Sequence, residues 1–135
     1  MLAGDSPSVV DEESVADNHE WADANGLTVS RRSRDGVLIV AARGEIDLNS
    51  CAPLAQALAV PGEATAPRTV IDLSGVTFMD STGINLLIGA DRAARGARGW
   101  LRLAAPTEAV LRTMRLVGLD LVIPSYPTLS EALEA

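Results

Sequence analysis

The residues of this chain whose types and spacing could do chemistry gather at one joint. Asp80-Ser81-Thr82-Gly83 is the only small, polar cluster inside the apolar run VIDLSGVTFMDSTGINLLIGA, Val70 to Ala90. The run reads as a buried strand, a short turn and a helix, which places Ser81 at or beside a helix N-terminus. Two chemistries fit a hydroxyl there. One is capping: Ser and Asp side chains accept hydrogen bonds from free first-turn amides, worth about 1 kcal/mol. The other is modification: a helix N-terminus carries partial positive charge and unpaired N–H donors, so it can hold a phosphate. A phosphoserine brings about −1.5 to −2 charges. The fold tolerates such a group at this position, whereas a docked partner feels it. Thr82 offers a second hydroxyl, β-branched and turned toward the first helical turn.

Catalysis has little to work with. The joint is not G-x-S-x-G, and the only histidine, His19, lies near the N-terminus, so no Ser-His-Asp arrangement is expected in the domain. Neither a Walker loop nor a dinucleotide-binding glycine motif is present. Asp47 and Asp80 are candidate paired carboxylates without a companion base, metal cluster or aromatic-walled cleft. The single Cys51 permits no intrachain disulfide, and one Cys with one distant His makes no zinc site. The expectation is a binding protein with no catalytic residues, no metal and no cofactor.

The elements that position the joint follow from periodicity. Leu27–Ser33 and Val37–Ala42 read as strands joined at Asp35-Gly36, a hairpin signal. Gly44-Glu45-Ile46-Asp47 ends the second strand. Asn49 or Ser50 caps a helix to about Val60, with Pro53 tolerable in its first turn. Thr69–Leu73 is a third strand and Ser81 to about Arg95 a second helix. Trp100–Ala104 is a fourth strand. Pro106-Thr107 opens a third helix that stops at Gly118. Leu121–Ile123 is a short fifth strand, and 128–135 a last helix. The order ββαβαβαβα predicts an α/β fold: a small mixed sheet of about five strands, mostly parallel after an initial hairpin, flanked by about four helices. Parallel strands bring their strand-to-helix turns to one rim. Asp47–Ser50, Asp80–Thr82 and Pro106-Thr107 are therefore expected near one another.

A helical wheel places Gly83, Leu86, Leu87, Ala90, Ala93, Ala94 and Ala97 on the core face of the second helix. Ile84 and Ile88 fall opposite, with Asp91, Arg92 and Arg95. An i, i+4 pair of isoleucines one turn from a modifiable serine suggests a docking patch.

Charge divides the chain. Residues 1–26 carry seven acids and no Arg or Lys, while the remainder balances eleven acids against eleven arginines. The formal charge of −7 belongs to this N-terminal stretch, read as an acidic disordered tail preceding a domain at 27–135. No basic stripe stands out, which argues against nucleic acid. No apolar run reaches the roughly 18 residues of a membrane helix, and the acidic N-terminus lacks a secretory h-region. A cytoplasmic monomer is expected, since no long apolar edge or coiled-coil pattern is visible. At 47% hydrophobic and 3% aromatic, the domain can build a core, mainly from Val, Leu, Ile and Ala.

At these residues the chain resembles the STAS domain family, and is most similar to the bacterial anti-sigma factor antagonists. LSGVTFMDSTG matches the long family motif, and GEIDLNS matches a second at Gly44, Glu45, Ile46, Asp47 and Ser50. The resemblance covers residues 27 to 135. It implies that Ser81 is phosphorylated by a partner anti-sigma factor with serine kinase activity. The unphosphorylated protein then binds that factor and frees a sigma factor, and the phosphorylated form releases it. A PP2C-type phosphatase is implied as the restoring enzyme. Asp47, Ser50, Asp80, Ser81, Thr82, Gly83, Ile84 and Ile88 correspond to partner-binding positions. The competing expectation is a constitutive STAS subunit of a signalling or transport assembly, in which Ser81 is only a cap.

Overall fold

The computed structural model describes residues 19–22, 26–59 and 66–135. Six strands form one sheet in sequential order. They are β1 (His19–Ala22), β2 (Thr28–Arg34), β3 (Val37–Ile46), β4 (Arg68–Met79), β5 (Trp100–Ala104) and β6 (Ser125–Tyr126). The helices are α1 (Ala52–Leu58), α2 (Ser81–Gly96), α3 (Glu108–Val117) and α4 (Leu129–Glu134), with a 3-10 turn at Leu119–Leu121. Strands β1 to β3 pair antiparallel, and β3 to β6 pair parallel. The mixed sheet with four helices is the architecture the periodicity predicts.

Alternation along the central strands divides the core. Val40, Ala42, Ile71, Leu73, Leu101 and Leu103 face α1, α2 and α3 in the larger cluster. Val37, Val70 and Ala104 face the other side, where the short α4 covers them with Ala132. Neighbours such as Val70 and Ile71 point oppositely, as a pleated strand requires. The sequential strand order and right-handed crossovers put the three connecting helices on one face. The β2–β3 hairpin turns through Asp35 and Gly36, both at positive φ (53° and 81°), the backbone that a two-residue turn between right-twisted strands needs.

Several expectations are corrected. Residues His19–Ala22, assigned from sequence to a disordered tail, pair with β2 as a sheet-edge strand; residues 1–18 and 23–25 lie outside the described residues, as does the end expected for α1. The last strand is Ser125–Tyr126, because Leu119–Leu121 coils into a 3-10 turn after Gly118. The largest difference is β4, which continues six residues past Leu73 to Met79. Ser74-Gly75 looks like a turn, but two register shifts against β3 absorb an extra residue each. These bulges let the strand carry on rather than end.

Candidate functional site

The extension of β4 builds the site. β5 pairs with β4 only as far as Asp72, so the last seven residues of β4 project beyond it alongside β3. The joint at Asp80 therefore lies beside the end of β3. The Asp80 amide donates to the Ile46 carbonyl at 3.1 Å, tying the β4–α2 turn to the β3–α1 loop. Pro106-Thr107 does not join them. Thr107 caps α3 and its hydroxyl donates to the Val76 carbonyl at 2.8 Å. Four residues of strand separate Val76 from Asp80, roughly 13 Å.

Asp80 is the helix cap. Its Oδ1 accepts the Thr82 amide at 2.9 Å. Ser81 is the first helical residue, exposed, and its hydroxyl makes no hydrogen bond among the described residues. The capping chemistry that sequence left open between the two thus falls to Asp80, and the Ser81 hydroxyl is free for other use. The Ser81 and Gly83 amides belong to the unpaired first turn, because the helical ladder starts with Ile84 donating to the Asp80 carbonyl. Thr82 is half-buried. Gly83 is buried, and its missing side chain is what lets the turn seat. A Cβ there would stand 2.5 Å from Met79 Cγ and 2.8 Å from Ile46 Cγ2.

Asp47 organises the neighbouring loop. Its Oδ1 accepts the amides of Asn49 (2.9 Å) and Ser50 (3.0 Å), a local turn of the kind Asp favours. Ser50 is fully buried. Its hydroxyl donates to the Glu45 carbonyl at 2.6 Å and accepts the Asp47 amide at 3.1 Å. It therefore shapes the loop from below, rather than meeting a partner or capping α1, whose N-cap is Cys51 with no side-chain bond.

The isoleucine patch is also corrected. Ile84 is only 6% exposed, within the core, and Ile88 is half-buried against it. The buried face of α2 is Gly83, Ile84, Leu87, Asp91 and Ala94. Sequence rotated this face because a charged residue sits on it: Asp91 is buried under Arg95, which lies 3.2 Å away one turn on. The alanines that looked internal include Ala93, which is exposed.

What the rim does expose, and sequence missed, is Leu48 (76%) and Phe78 (48%). The bulge at Thr77 breaks the alternation, so Thr77 and Phe78 both face outward between the buried Val76 and Met79. The one available signal was the chain's single Phe standing beside the polar joint. Glu45, Asp47 and Asp80 add three carboxylates to the same rim, none with an ion pair among the described residues. A free hydroxyl, two exposed apolar side chains and an acidic border are features that could complement an apolar, basic partner. They also make a surface on which an added dianion would change the balance.

Comparison with known proteins follows the same lines. A family model described as Mlab, STAS domain, matches residues 29–124. The anti-sigma-F factor antagonist RsfB of Mycobacterium tuberculosis is 32% identical over 112 residues, spanning 81% of this chain and 88% of that protein. The anti-sigma-B factor antagonist of Listeria monocytogenes is 30% identical over 97 residues, 72% of this chain and 84% of that one. The crystal structure of an anti-sigma factor antagonist from Mycobacterium paratuberculosis superposes with a TM-score of 0.73 at 34% identity, covering 84% of this chain and 97% of that one.

Proposed function

This chain belongs to the STAS domain family, and we propose that it works as an anti-sigma factor antagonist switched by phosphorylation at Ser81. In this reading the unphosphorylated protein binds an anti-sigma factor with serine kinase activity, and a sigma factor is released. The Ser81 oxygen bonds the γ-phosphorus of ATP as its bond to the β,γ-bridging oxygen breaks, ADP leaves, the hydroxyl proton passes to a base of the kinase, and the complex separates. A PP2C-type phosphatase hydrolyses the phosphoester and restores the hydroxyl. The observation that carries the reading is the position of Ser81: exposed, first in α2, its hydroxyl without a hydrogen bond among the described residues, and on the same rim as the exposed Leu48 and Phe78.

Electrostatics supports a switch without refolding. The unpaired amides of Ser81 and Gly83 favour a phosphate locally, while Asp80 and Asp47 oppose it. Burying that dianion at an interface without a cationic partner costs several kcal/mol, and each 1.4 kcal/mol is tenfold in affinity. A loss of two or more decades is of the right size.

The test is a pull-down from native lysate with Ser81→Ala and Ser81→Glu as paired baits. A kinase-like protein on the Ala bait alone is the expected outcome. The same partners on both baits would overturn the switch and assign the chain to a constitutive assembly.

A further inference from the structure

Exposed large hydrophobic side chains among the described residues form two groups. Leu48 and Phe78 belong to the rim. Leu116, Val117, Leu121 and Val122 gather at the opposite end, where α3 gives way to the 3-10 turn. Leu116 is 81% and Leu121 87% exposed, values that a monomer seldom leaves on a contiguous apolar stretch. Arginines border them. Arg112 and Arg115 line, with Leu116 and Glu108, a shallow cleft of about 310 Å³. Arg95 reaches across from α2 to the Val122 carbonyl at 2.9 Å. Arg95 is tied to Asp91, but Arg112 and Arg115 have no ion pair among the described residues. Residues 91–122 hold six arginines against three acids, in a chain whose formal charge is −7.

The complement to this surface lies in the same chain. Residues 1–18 contain Asp5, Asp11, Glu12, Glu13 and Asp17, no Arg or Lys, and the valines 9, 10 and 15 interleaved among the acids. Topology delivers them to the right end. β1 is antiparallel to β2 and β2 to β3, so β1 runs with β3 and β4. Its amino end points toward the amino ends of the parallel strands, the end toward which α3 runs from Thr107 and at which the 3-10 turn follows it. The reach is ample: four strand spacings from β1 to β5 are about 19 Å, and eighteen residues extend to roughly 60 Å.

We propose that residues 1–18 dock on the surface of Arg112, Arg115, Leu116, Leu121 and Val122 of the same chain. The acids face the two unpaired arginines, and the valines cover Leu116 and Leu121. A tether of this length supplies an effective concentration of order millimolar, so even a weak intrinsic affinity populates the contact. The Val122 end of the contact lies beside Arg95, near the far end of the sixteen-residue α2 that Ser81 opens, a helix about 24 Å long. The contact shields an apolar surface that would otherwise meet a second copy.

The experiment is paramagnetic relaxation on the full chain, with a nitroxide on Ser14→Cys in a Cys51→Ser background. At low salt, the amide signals of residues 115–122 should lose most of their intensity, and more than those of Leu48 and Phe78, because even a partly populated contact brings the nitroxide close to them. The loss should vanish in 1 M NaCl, where the screening length is about 3 Å, and in the Arg112→Glu/Arg115→Glu variant. Both arginines are exposed, so this variant should keep its dispersed spectrum. Attenuation no stronger there than at Leu48 and Phe78 would overturn the proposal, as would attenuation that survives salt or charge reversal. A mixed sample of spin-labelled unenriched chain and unlabelled isotope-enriched chain gives the last arm: attenuation there assigns the surface to a second copy and overturns the intramolecular contact.

Discussion

Replacing Gly83 with Ala sets two effects of opposite sign against each other. Alanine is the better helix former, by up to about 1 kcal/mol in a helix interior and less in the first turn. The structure supplies the opposing cost. The new Cβ would stand 2.5 Å from Met79 Cγ, 2.8 Å from Ile46 Cγ2 and 2.9 Å from Met79 Sδ, where carbon contacts prefer about 3.5 to 4.0 Å. Met79 is 2% exposed and Ile46 fully buried, so neither side chain has space to retreat into. The first turn of α2 must instead move outward by about 1 Å, at the usual overpacking cost of about 1–3 kcal/mol. The net expectation is a loss of about 1–2 kcal/mol, or a melting temperature lower by about 4–8 °C for a domain of this size. Thermal and urea unfolding followed by circular dichroism measure it. A double-mutant cycle then tests the cause. Met79→Ala removes two of the three clashing atoms, so the two substitutions together should cost less than the sum of their separate losses by at least about 0.5 kcal/mol. An unchanged or raised melting temperature for Gly83→Ala, or additive losses in the cycle, would refute the close-packing argument.

The capping assignment predicts an asymmetry between adjacent residues. Asp80→Ala should cost about 1 kcal/mol in urea unfolding, while Ser81→Ala stays within about 0.5 kcal/mol of the parent; equal losses would return the cap to Ser81. The rim predicts the opposite asymmetry in binding. Leu48→Ser and Phe78→Ser should leave stability within about 0.5 kcal/mol yet weaken the captured partner about tenfold or more by titration. Unchanged affinity in both would remove these side chains from the docking surface.

The parts of the fold that were legible in the sequence are those governed by local signals. Asp35-Gly36 marks its hairpin because few other residues accept positive φ at both turn positions, and Gly118 marks the end of α3 for a similar reason. The apolar runs in Val37–Ala42, apolar on both faces, and Val70–Leu73 mark buried strands. The illegible parts depend on tertiary context. The third strand reads as ending at Leu73 unless β3 is present to receive the bulges that carry it on. Ile84 reads as exposed as long as Asp91 is placed in solvent, and only the folded helix shows Arg95 covering that carboxylate. At the site, Ser81 and its helix terminus were legible from the motif. Ser50 and Ile84 were assigned to the partner surface and are buried, while Phe78 was overlooked because strand alternation fails at Thr77, and Leu48 because a loop carries no periodicity to read.

The overhang of β4 beyond β5 has a consequence for how this protein can change. Val76 and Met79 pin the overhang into the core, while the side chains of Phe78, and of Leu48 across the loop, stand outside it. Foundations and frontage are thus separate sets of residues within a few positions of each other. The frontage can be rewritten, one side chain at a time, without disturbing the foundations. A scaffold of this kind can be retargeted to a different partner by surface substitutions alone, and the serine that would govern release keeps its place throughout.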